Sequence, residues 1–153
     1  MATETDTTFA LRSTAFSHNG HIPVTYTCEG EDINPPLEFT GVPEETKSIA
    51  LILEDPDAPR GTFDHWVVWN ISPNEAIAEK TNAGINGRNS FGRTGYGGPC
   101  PPSGVHRYFF KAYALDSQLD LLGGAGKQDL IDAMKGHIIA SAELMGQYSK
   151  KNQ

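Results

Sequence analysis

Two short segments concentrate side chains that can hold a small charged ligand. The first is the run Asp-Pro-Asp-Ala-Pro at 55–59, followed by His65, and the second is the Gly- and Pro-rich run at 97–108, which carries His106 and Tyr108 at its end. Imidazole and phenol groups donate hydrogen bonds to anionic oxygens, and a nearby carboxylate can orient an imidazole or accept from an ammonium group. Together these residue types predict a binding site for a small charged ligand.

The 55–59 run follows an apolar stretch at 48–54 that predicts a strand. Each proline fixes its own φ and keeps the preceding residue out of helical conformation, so Asp55 and Asp57 point in set directions at low entropic cost. A plain turn, in which the aspartates cap their own backbone amides, is the alternative, and it stays open for Asp57. His65 begins the next predicted strand, which places its ring at the same end of the sheet.

The second segment predicts a tight, stiff loop whose backbone N–H groups face an anion. It is not a P-loop, because the Lys-Ser/Thr pair is missing and a strand follows where that motif needs a helix. His106 and Tyr108 are two residues apart on that strand and share one face, while Arg107 points to the other face and is expected to form a structural ion pair. For Tyr108, a plain core position is the alternative. The loop residues are Gly95, Gly97, Gly98, Pro99, Pro101 and Pro102.

The ionisation of these groups sets what the site can bind. An ordinary histidine has a pKa of about 6.5, and a close carboxylate favours its charged form. His65 beside Asp55 is therefore expected to be cationic more often than a free imidazole. Asp55 repels an anion, and it therefore orients a histidine, meets the ammonium of a zwitterionic head group, or is protonated. With no Lys or Arg in the set, the expected affinity for simple anions is micromolar to millimolar, about 4–8 kcal/mol.

Five short runs rich in β-branched and aromatic residues, separated by Gly, Pro and Asn clusters, predict the strands that position these segments. They lie at 9–13, 36–40, 48–54, 65–71 and 107–115. Neither face of the last run is polar enough to lie wholly in water, which favours a sandwich core. Near the C-terminus, a stripe at steps of three and four predicts one helix packed on the sheets, with Gly136 inside it. The stripe consists of Leu130, Met134, Ile138, Ser141, Met145 and Tyr148.

Length, charge and hydropathy limit the functional classes. The 153 residues fit one domain, 1–153, with a polar N-terminal segment, 1–8, that is expected to be frayed. A net charge of −7 gives no electrostatic basis for binding nucleic acid, and no apolar stretch is long enough to span a membrane. The sequence shows neither a signal peptide nor a disulfide framework, so we expect a cytoplasmic protein with Cys28 and Cys100 as free buried thiols.

Catalysis is the main alternative to binding. Cys100 could be activated by His65 or His106, but the prolines on both sides of Cys100 remove backbone donors and no third member of a triad is evident. Ser103 is a weaker candidate nucleophile. A metal site formed by His65, His106 and Asp55 has suitable ligand chemistry but no known spacing. We therefore predict a protein that is not an enzyme and that needs no metal or cofactor.

The two segments and the residues that follow them resemble a known family. DPDAP followed by FDHWVVWNI, then GYGGPCPPSGVHRYFF and AMKGHIIASAELMGQY, are similar to the phosphatidylethanolamine-binding protein family, in the YbhB/YbcL branch related to Raf kinase inhibitor protein. The resemblance implies a mainly β fold, an antiparallel β-sandwich with Greek-key connections, and an anion pocket that takes phosphate or phospholipid head groups such as phosphoethanolamine. The residues that match the family's pocket are Asp55, Pro59, His65, Gly98, Cys100, Pro102, His106 and Tyr108.

The resemblance also implies partners. Some members of the family regulate kinases or proteases and many small relatives form homodimers, so a client protein and a homodimer are further expectations. Phe63 stands where relatives often carry Trp, which changes the wall of the pocket. The chain ends soon after Tyr148, without the longer segment that lies over the pocket in eukaryotic relatives, and this weakens the expectation of kinase regulation.

Overall fold

The computed structural model describes residues 8–150. Of the segment 1–8, which is expected to be frayed, all residues but Thr8 lie outside this range. Within this range the chain forms strands, a 3₁₀ turn and one α-helix. Their bounds are β1 Ala10–Arg12, β2 Gly20–His21, the 3₁₀ turn Val24–Tyr26, β3 Glu38–Thr40, β4 Ser48–Asp55, β5 Phe63–Ile71, β6 Ile85–Asn86, β7 His106–Leu115, α1 Lys127–Met134 and β8 Ile138–Tyr148.

The strands form two sheets of unequal size. Six strands form one sheet in the order β2-β8-β7-β4-β5-β6, and β1 pairs with β3 in a second, two-stranded sheet. The pairings are antiparallel apart from the short parallel contact of β2 with β8. The predicted mainly β fold with a helix near the C-terminus is confirmed, and each of the five predicted strands is present, because their β-branched and aromatic residues pack well on a pleated surface.

The large sheet is buried on both faces, and each face has its own core. Leu51 of β4 and Phe110 of β7 belong to the core on one side, which we call the inner face and which the small sheet covers. Ile52 of β4 lies on the outer face, in a second core with Leu130 and Met134 of α1. This alternation is the period-two pattern of strands that are buried on both sides.

The predicted C-terminal helix is correct only in its first part. The helix α1 ends at Met134, and the chain continues as β8 from Ile138 to Tyr148. Gly136, predicted to lie inside the helix, follows its end with a φ of 82°. This is the left-handed conformation that glycine commonly adopts just after a helix, and it turns the chain back toward the sheet.

The second half of the predicted stripe is a strand because β8 pairs with β7 along its length, which satisfies the backbone N–H and C=O groups. Its alternating pattern is weak in the sequence, since several residues on the inner face are small. Steps of three and four between larger residues therefore suggested a helix where long-range pairing produces a strand. The residues of β8 on the inner face are Ala140, Ala142, Leu144, Gly146 and Tyr148.

Candidate binding site

A cavity of about 330 Å³ lies on the inner face of the large sheet, where β4 ends and β5 and β7 begin. We call it the inner-face cavity. Its wall is mostly apolar, and it contains seven of the nine residues predicted to bind a ligand; Asp57 and Gly98 do not line it. The lining residues are Asp55, Ala58, Pro59, Phe63, His65, Phe91, Cys100, Pro101, Pro102, His106 and Tyr108.

The register of β4 and β7 explains why the two predicted segments meet. Leu53 lies opposite Phe110, so Asp55 at the end of β4 reaches the level of Tyr108. Side chains two residues apart on a strand share a face, and His106 and Tyr108 accordingly both line the cavity. The sheet thus joins residues that are more than fifty positions apart in the chain.

A β-bulge on the other side of β4 directs His65 into the inner-face cavity. Trp66 lies opposite Leu53. The next residue of β4, Glu54, lies opposite Asp64, so His65 between them has no partner on β4. The extra residue lets two successive side chains turn to the same side, with Trp66 in the inner core and His65 in the cavity wall.

Asp55 holds His106 and not His65. Its Oδ2 accepts a hydrogen bond from Nδ1 of His106 at 2.6 Å, and its Oδ1 accepts the backbone N–H of Asp57 at 2.7 Å. The expected pairing of Asp55 with His65 is therefore not found, since the two oxygens bind His106 and the backbone of the turn. The carboxylate fixes Nδ1 of His106 as the protonated nitrogen and leaves Nε2 for a ligand.

His65 is held by the loop and by aromatic rings. Its Nδ1 donates a hydrogen bond to the carbonyl oxygen of Gly97 at 2.8 Å, and its ring packs against Phe63, Phe91 and Tyr108. Burial lowers the pKa of His65, although the carbonyl and the charge of Asp55 act in the opposite direction. His65 is therefore neutral near neutral pH, contrary to the prediction, and its Nε2 carries a lone pair.

The hydroxyl group of Tyr108 is buried and has no hydrogen-bond partner among the described residues. The backbone amide of Cys100 approaches its oxygen without completing a bond of good geometry. Burial, together with the charge of Asp55, raises the pKa of the hydroxyl, so it remains a donor at neutral pH. A buried polar group without a partner costs about 1–3 kcal/mol, which makes this hydroxyl a candidate contact for a ligand.

The amides of the 97–98 dipeptide do not face the cavity. The N–H of Gly97 donates to the carbonyl oxygen of His65 at 2.9 Å, and the N–H of Gly98 donates to Oδ1 of Asp32 at 2.7 Å. The predicted nest of free loop amides is therefore wrong for these two residues. Their hydrogen bonds instead attach the loop to β5 and to the segment after the 3₁₀ turn.

Phe91 is a site residue that sequence reasoning missed. Its side chain is 41% exposed, and its ring contacts the rings of Phe63 and His65 at the rim of the cavity. A Cβ atom on Gly97 would lie 2.4 Å from the Phe91 ring, so glycine at this position is what lets the ring approach the loop. The one signal in the sequence is an isolated aromatic residue within a polar, Gly-containing stretch.

Asp57 lies outside the cavity and binds Arg107, whose predicted structural ion pair is confirmed. The carboxylate accepts hydrogen bonds from the backbone N–H of Arg107 at 2.9 Å and from its guanidinium at 2.8 and 2.9 Å. These contacts lower the pKa of Asp57 to about 2. Asp57 therefore anchors the 55–59 turn to β7.

We predict that Asp57→Asn destabilises the protein at neutral pH and that the difference disappears in acid. The lowered pKa of Asp57 means that its contribution is fully present above the pKa of the unfolded chain, about 4, and is lost as the pH falls toward about 2. Urea unfolding of both proteins at several pH values measures this. A difference in unfolding free energy that stays constant between about pH 6 and about pH 3 would contradict it.

Cys28 and Cys100 form a disulfide, so the prediction of free thiols is wrong. The cysteines are 72 residues apart, and only the fold brings the loop that carries Cys100 against the segment that carries Cys28. A bonded sulfur is not a nucleophile, and the hydrolase alternative loses its reacting group. Within residues 8–150, no three His, Cys, Asp or Glu side chains meet as metal ligands, which leaves the metal alternative without support.

The sequence of this chain is similar to proteins of known family. The family model described as phosphatidylethanolamine-binding protein matches residues 12–149. A UPF0098 protein of Methanothermobacter thermautotrophicus is 49% identical over 148 residues, which cover 92% of this chain and 98% of that protein. A UPF0098 protein of Pyrococcus abyssi is 51% identical over 150 residues, which cover 91% of this chain and 84% of that protein.

Solved structures share the fold. A phosphatidylethanolamine-binding protein homologue of Chlamydia trachomatis superposes with a TM-score of 0.92 at 47% identity, covering 95% of this chain and 99% of that one. YbcL of E. coli, described as a member of the mammalian family, superposes with a TM-score of 0.85 at 30% identity, covering 94% and 99%. Among the described residues, no helix has the length and apolar character needed to cross a membrane.

Proposed function

The chain belongs to the phosphatidylethanolamine-binding protein family, and on that premise we propose that the inner-face cavity binds small phosphate-like anions, including phospholipid head groups such as phosphoethanolamine. The observation that carries the proposal is the buried hydroxyl of Tyr108, which has no hydrogen-bond partner within residues 8–150 and whose ring packs against two imidazoles. The cavity volume of about 330 Å³ is within the range of small-molecule sites.

The polar groups of the cavity divide into ligand contacts and positioning residues. The Tyr108 hydroxyl donates to an anionic oxygen, and His106 and His65 donate through Nε2 when they are protonated. Asp55 acts through His106, because one of its oxygens holds the imidazole and the other holds the backbone of the turn. An anion that enters next to the neutral imidazole of His65 therefore favours the uptake of a proton by the site.

The apolar wall supports a ligand that carries carbon next to its charge. Phe63 and Phe91 stand at an angle to each other at the rim, and Pro59 and Pro102 complete the sides. A free inorganic anion leaves this wall in contact with water, whereas the two methylene groups of phosphoethanolamine cover part of it. We therefore propose that organic phosphates bind more tightly than inorganic phosphate.

The proposal is tested by NMR titration with phosphoethanolamine. We expect the resonances of Asp55, His65 and Tyr108 to shift first, and His65→Asn to remove most of the binding. Asparagine can keep the donor to the Gly97 carbonyl while losing the position of Nε2, so the fold is retained. His137→Ala is the matched control, because His137 is half-buried, does not line the cavity and pairs with Asp116. Unchanged binding by the His65→Asn protein would remove His65 from the site.

We predict that sulfate binds more tightly as the pH falls from about 8 to about 5.5. Sulfate keeps its charge over this range, so the change reports the protein, and the lowered pKa of His65 means that this imidazole must take up a proton to act as a donor. The affinity should rise by no more than about tenfold per pH unit for each proton taken up. Calorimetric titration measures it, and the profile should be flatter for His65→Asn. An affinity independent of pH would contradict protonation of the site on binding.

The remaining expectations stay predictions. A kinase or protease client and a homodimer depend on resemblance alone. We keep a non-catalytic role as part of the proposal. The disulfide argues against the expected cytoplasmic location unless the organism is a hyperthermophile. Disulfides persist chiefly in oxidising compartments and in intracellular proteins of hyperthermophiles.

A further inference from the structure

The disulfide joins the surface to the wall of the inner-face cavity. Cys28 is exposed, whereas Cys100 is half-buried and lines the cavity. An attacking thiolate is limited by access to sulfur, so Cys28, the more exposed residue of the two, is the favoured point of attack. The proposed function makes no use of the disulfide. The disulfide nevertheless links an exposed residue, Cys28, directly to a residue of the cavity wall, Cys100.

The loop that carries Cys100 has other attachments. The N–H of Cys28 donates to the carbonyl oxygen of Pro99 at 3.1 Å, and the Tyr96 hydroxyl donates to the carbonyl oxygen of Tyr26 at 2.6 Å. Gly98, which lies between Tyr96 and Pro99 in the chain, adds a hydrogen bond from its N–H to Asp32. Opening of the disulfide therefore leaves the loop close to its native place, and its effect is local to the cavity wall.

The chain segment that carries Cys28 is acidic. Glu29, Glu31 and Asp32 follow it within four residues, and no Lys or Arg occurs between 13 and 46. The thiolate of a thiol that carries a carboxylate is a dianion and is repelled by these carboxylates, whereas the thiolate of a thiol that carries an ammonium group has no net charge and is not repelled. The charge of the segment thus selects among thiols.

We propose that the Cys28–Cys100 disulfide is an exchange site for small neutral or cationic thiols. The incoming thiolate attacks Sγ of Cys28 and forms a new S–S bond there, while the bond to Cys100 breaks and its electron pair leaves on Sγ of Cys100. That sulfur takes a proton from solvent, which replaces the proton that the incoming thiol lost. The product is a mixed disulfide at Cys28 and a free thiol at Cys100 in the cavity wall.

Modification changes the binding site, and this part rests on the proposed function. The released Cys100 no longer holds the proline-rich wall of the cavity in place, and its backbone amide lies next to the Tyr108 hydroxyl. We expect the affinity for phosphoethanolamine to fall by about threefold to tenfold, the size of one hydrogen bond lost or misplaced.

The site of exchange is tested on the native, oxidised protein. The protein is treated with cysteamine, the released thiol is trapped with iodoacetamide, and the peptides are mapped by mass spectrometry. We expect cysteamine on Cys28 and the alkyl group on Cys100. The reverse assignment, or exchange only in urea, would overturn the proposal.

Charge selection is tested by ionic strength, which avoids the different thiol pKa values of the reagents. Added salt should accelerate exchange with 3-mercaptopropionate by about threefold between low and physiological salt, and it should change exchange with cysteamine much less, because the cysteamine thiolate carries no net charge. Glu31→Gln is the matched variant and should reduce the acceleration seen with 3-mercaptopropionate. Equal salt effects on the two thiols would overturn the acidic selection.

Coupling to the cavity is tested by titrating phosphoethanolamine into the oxidised and the trapped protein. Weaker binding after trapping, with a native amide spectrum, supports the proposal. Equal binding by the two forms, or loss of the native spectrum on trapping, would overturn the coupling. No binding by the oxidised protein would overturn the proposed function instead, while the peptide map would still decide the exchange site.

Discussion

Tyr108→Phe is expected to leave the free protein as stable as before or about 1 kcal/mol more stable, and to weaken the binding of phosphoethanolamine about tenfold to a hundredfold. The hydroxyl is buried without a hydrogen-bond partner among the described residues, so removing it removes a desolvation cost. The same hydroxyl is the proposed donor to the anion, and a hydrogen bond to a charged group contributes about 1.5–3 kcal/mol. Stability and binding should therefore change in opposite directions.

Tyr96→Phe is the matched control for this experiment. Tyr96 is also buried, but its hydroxyl donates to the carbonyl oxygen of Tyr26 at 2.6 Å, so its loss should lower the free energy of unfolding by about 1 kcal/mol. Urea unfolding and calorimetric titration measure both variants. If the two substitutions destabilise the protein equally, the Tyr108 hydroxyl has a partner in the free protein and is not kept for a ligand.

Removing the disulfide is expected to lower the free energy of unfolding by about 4 kcal/mol. Closing a loop of 72 residues restricts the unfolded chain, and the chain-entropy relation gives this value at room temperature. Domains of this kind have about 5–15 kcal/mol in total, so the protein should remain folded with a much lower urea midpoint.

The measurement compares urea unfolding with and without a phosphine reductant. The double variant Cys28→Ala, Cys100→Ala is the control, and reductant should not change its midpoint. A wild-type midpoint that is also insensitive to full reduction would mean that the crosslink does not restrict the unfolded chain as the loop length implies.

The sequence predicted the local features of the site better than its pairings. The 55–59 turn and the predicted strand face of His106 and Tyr108 follow from proline geometry and from a two-residue period, and the structure has both. The partner of Asp55 could not be predicted, because it depends on strand register. His65 faces the cavity because of a β-bulge, and no residue type in the sequence predicts that bulge.

The two larger errors also come from long-range contacts. The strand β8 resembles a helix in sequence because Ala140, Ala142 and Gly146 face the core without a strong hydrophobic signal, and only pairing with β7 decides its conformation. The disulfide joins residues in separate loops, and a spacing of 72 residues carries no local pattern. Charge and composition indicate solubility and partners, but not these pairings.

Side chains of the 55–59 turn bind β7 on both faces of the sheet. Asp55 accepts a hydrogen bond from His106 on the inner face, and Asp57 forms an ion pair with Arg107, the next residue of β7, on the outer face. A segment bound to β7 on both faces resists rotation about its own axis, so the side of the cavity formed by the 55–59 turn is expected to keep the same shape with and without a ligand. Binding of a ligand then requires little further ordering of this part of the protein. Different ligands should therefore differ in their dissociation rates and much less in their association rates.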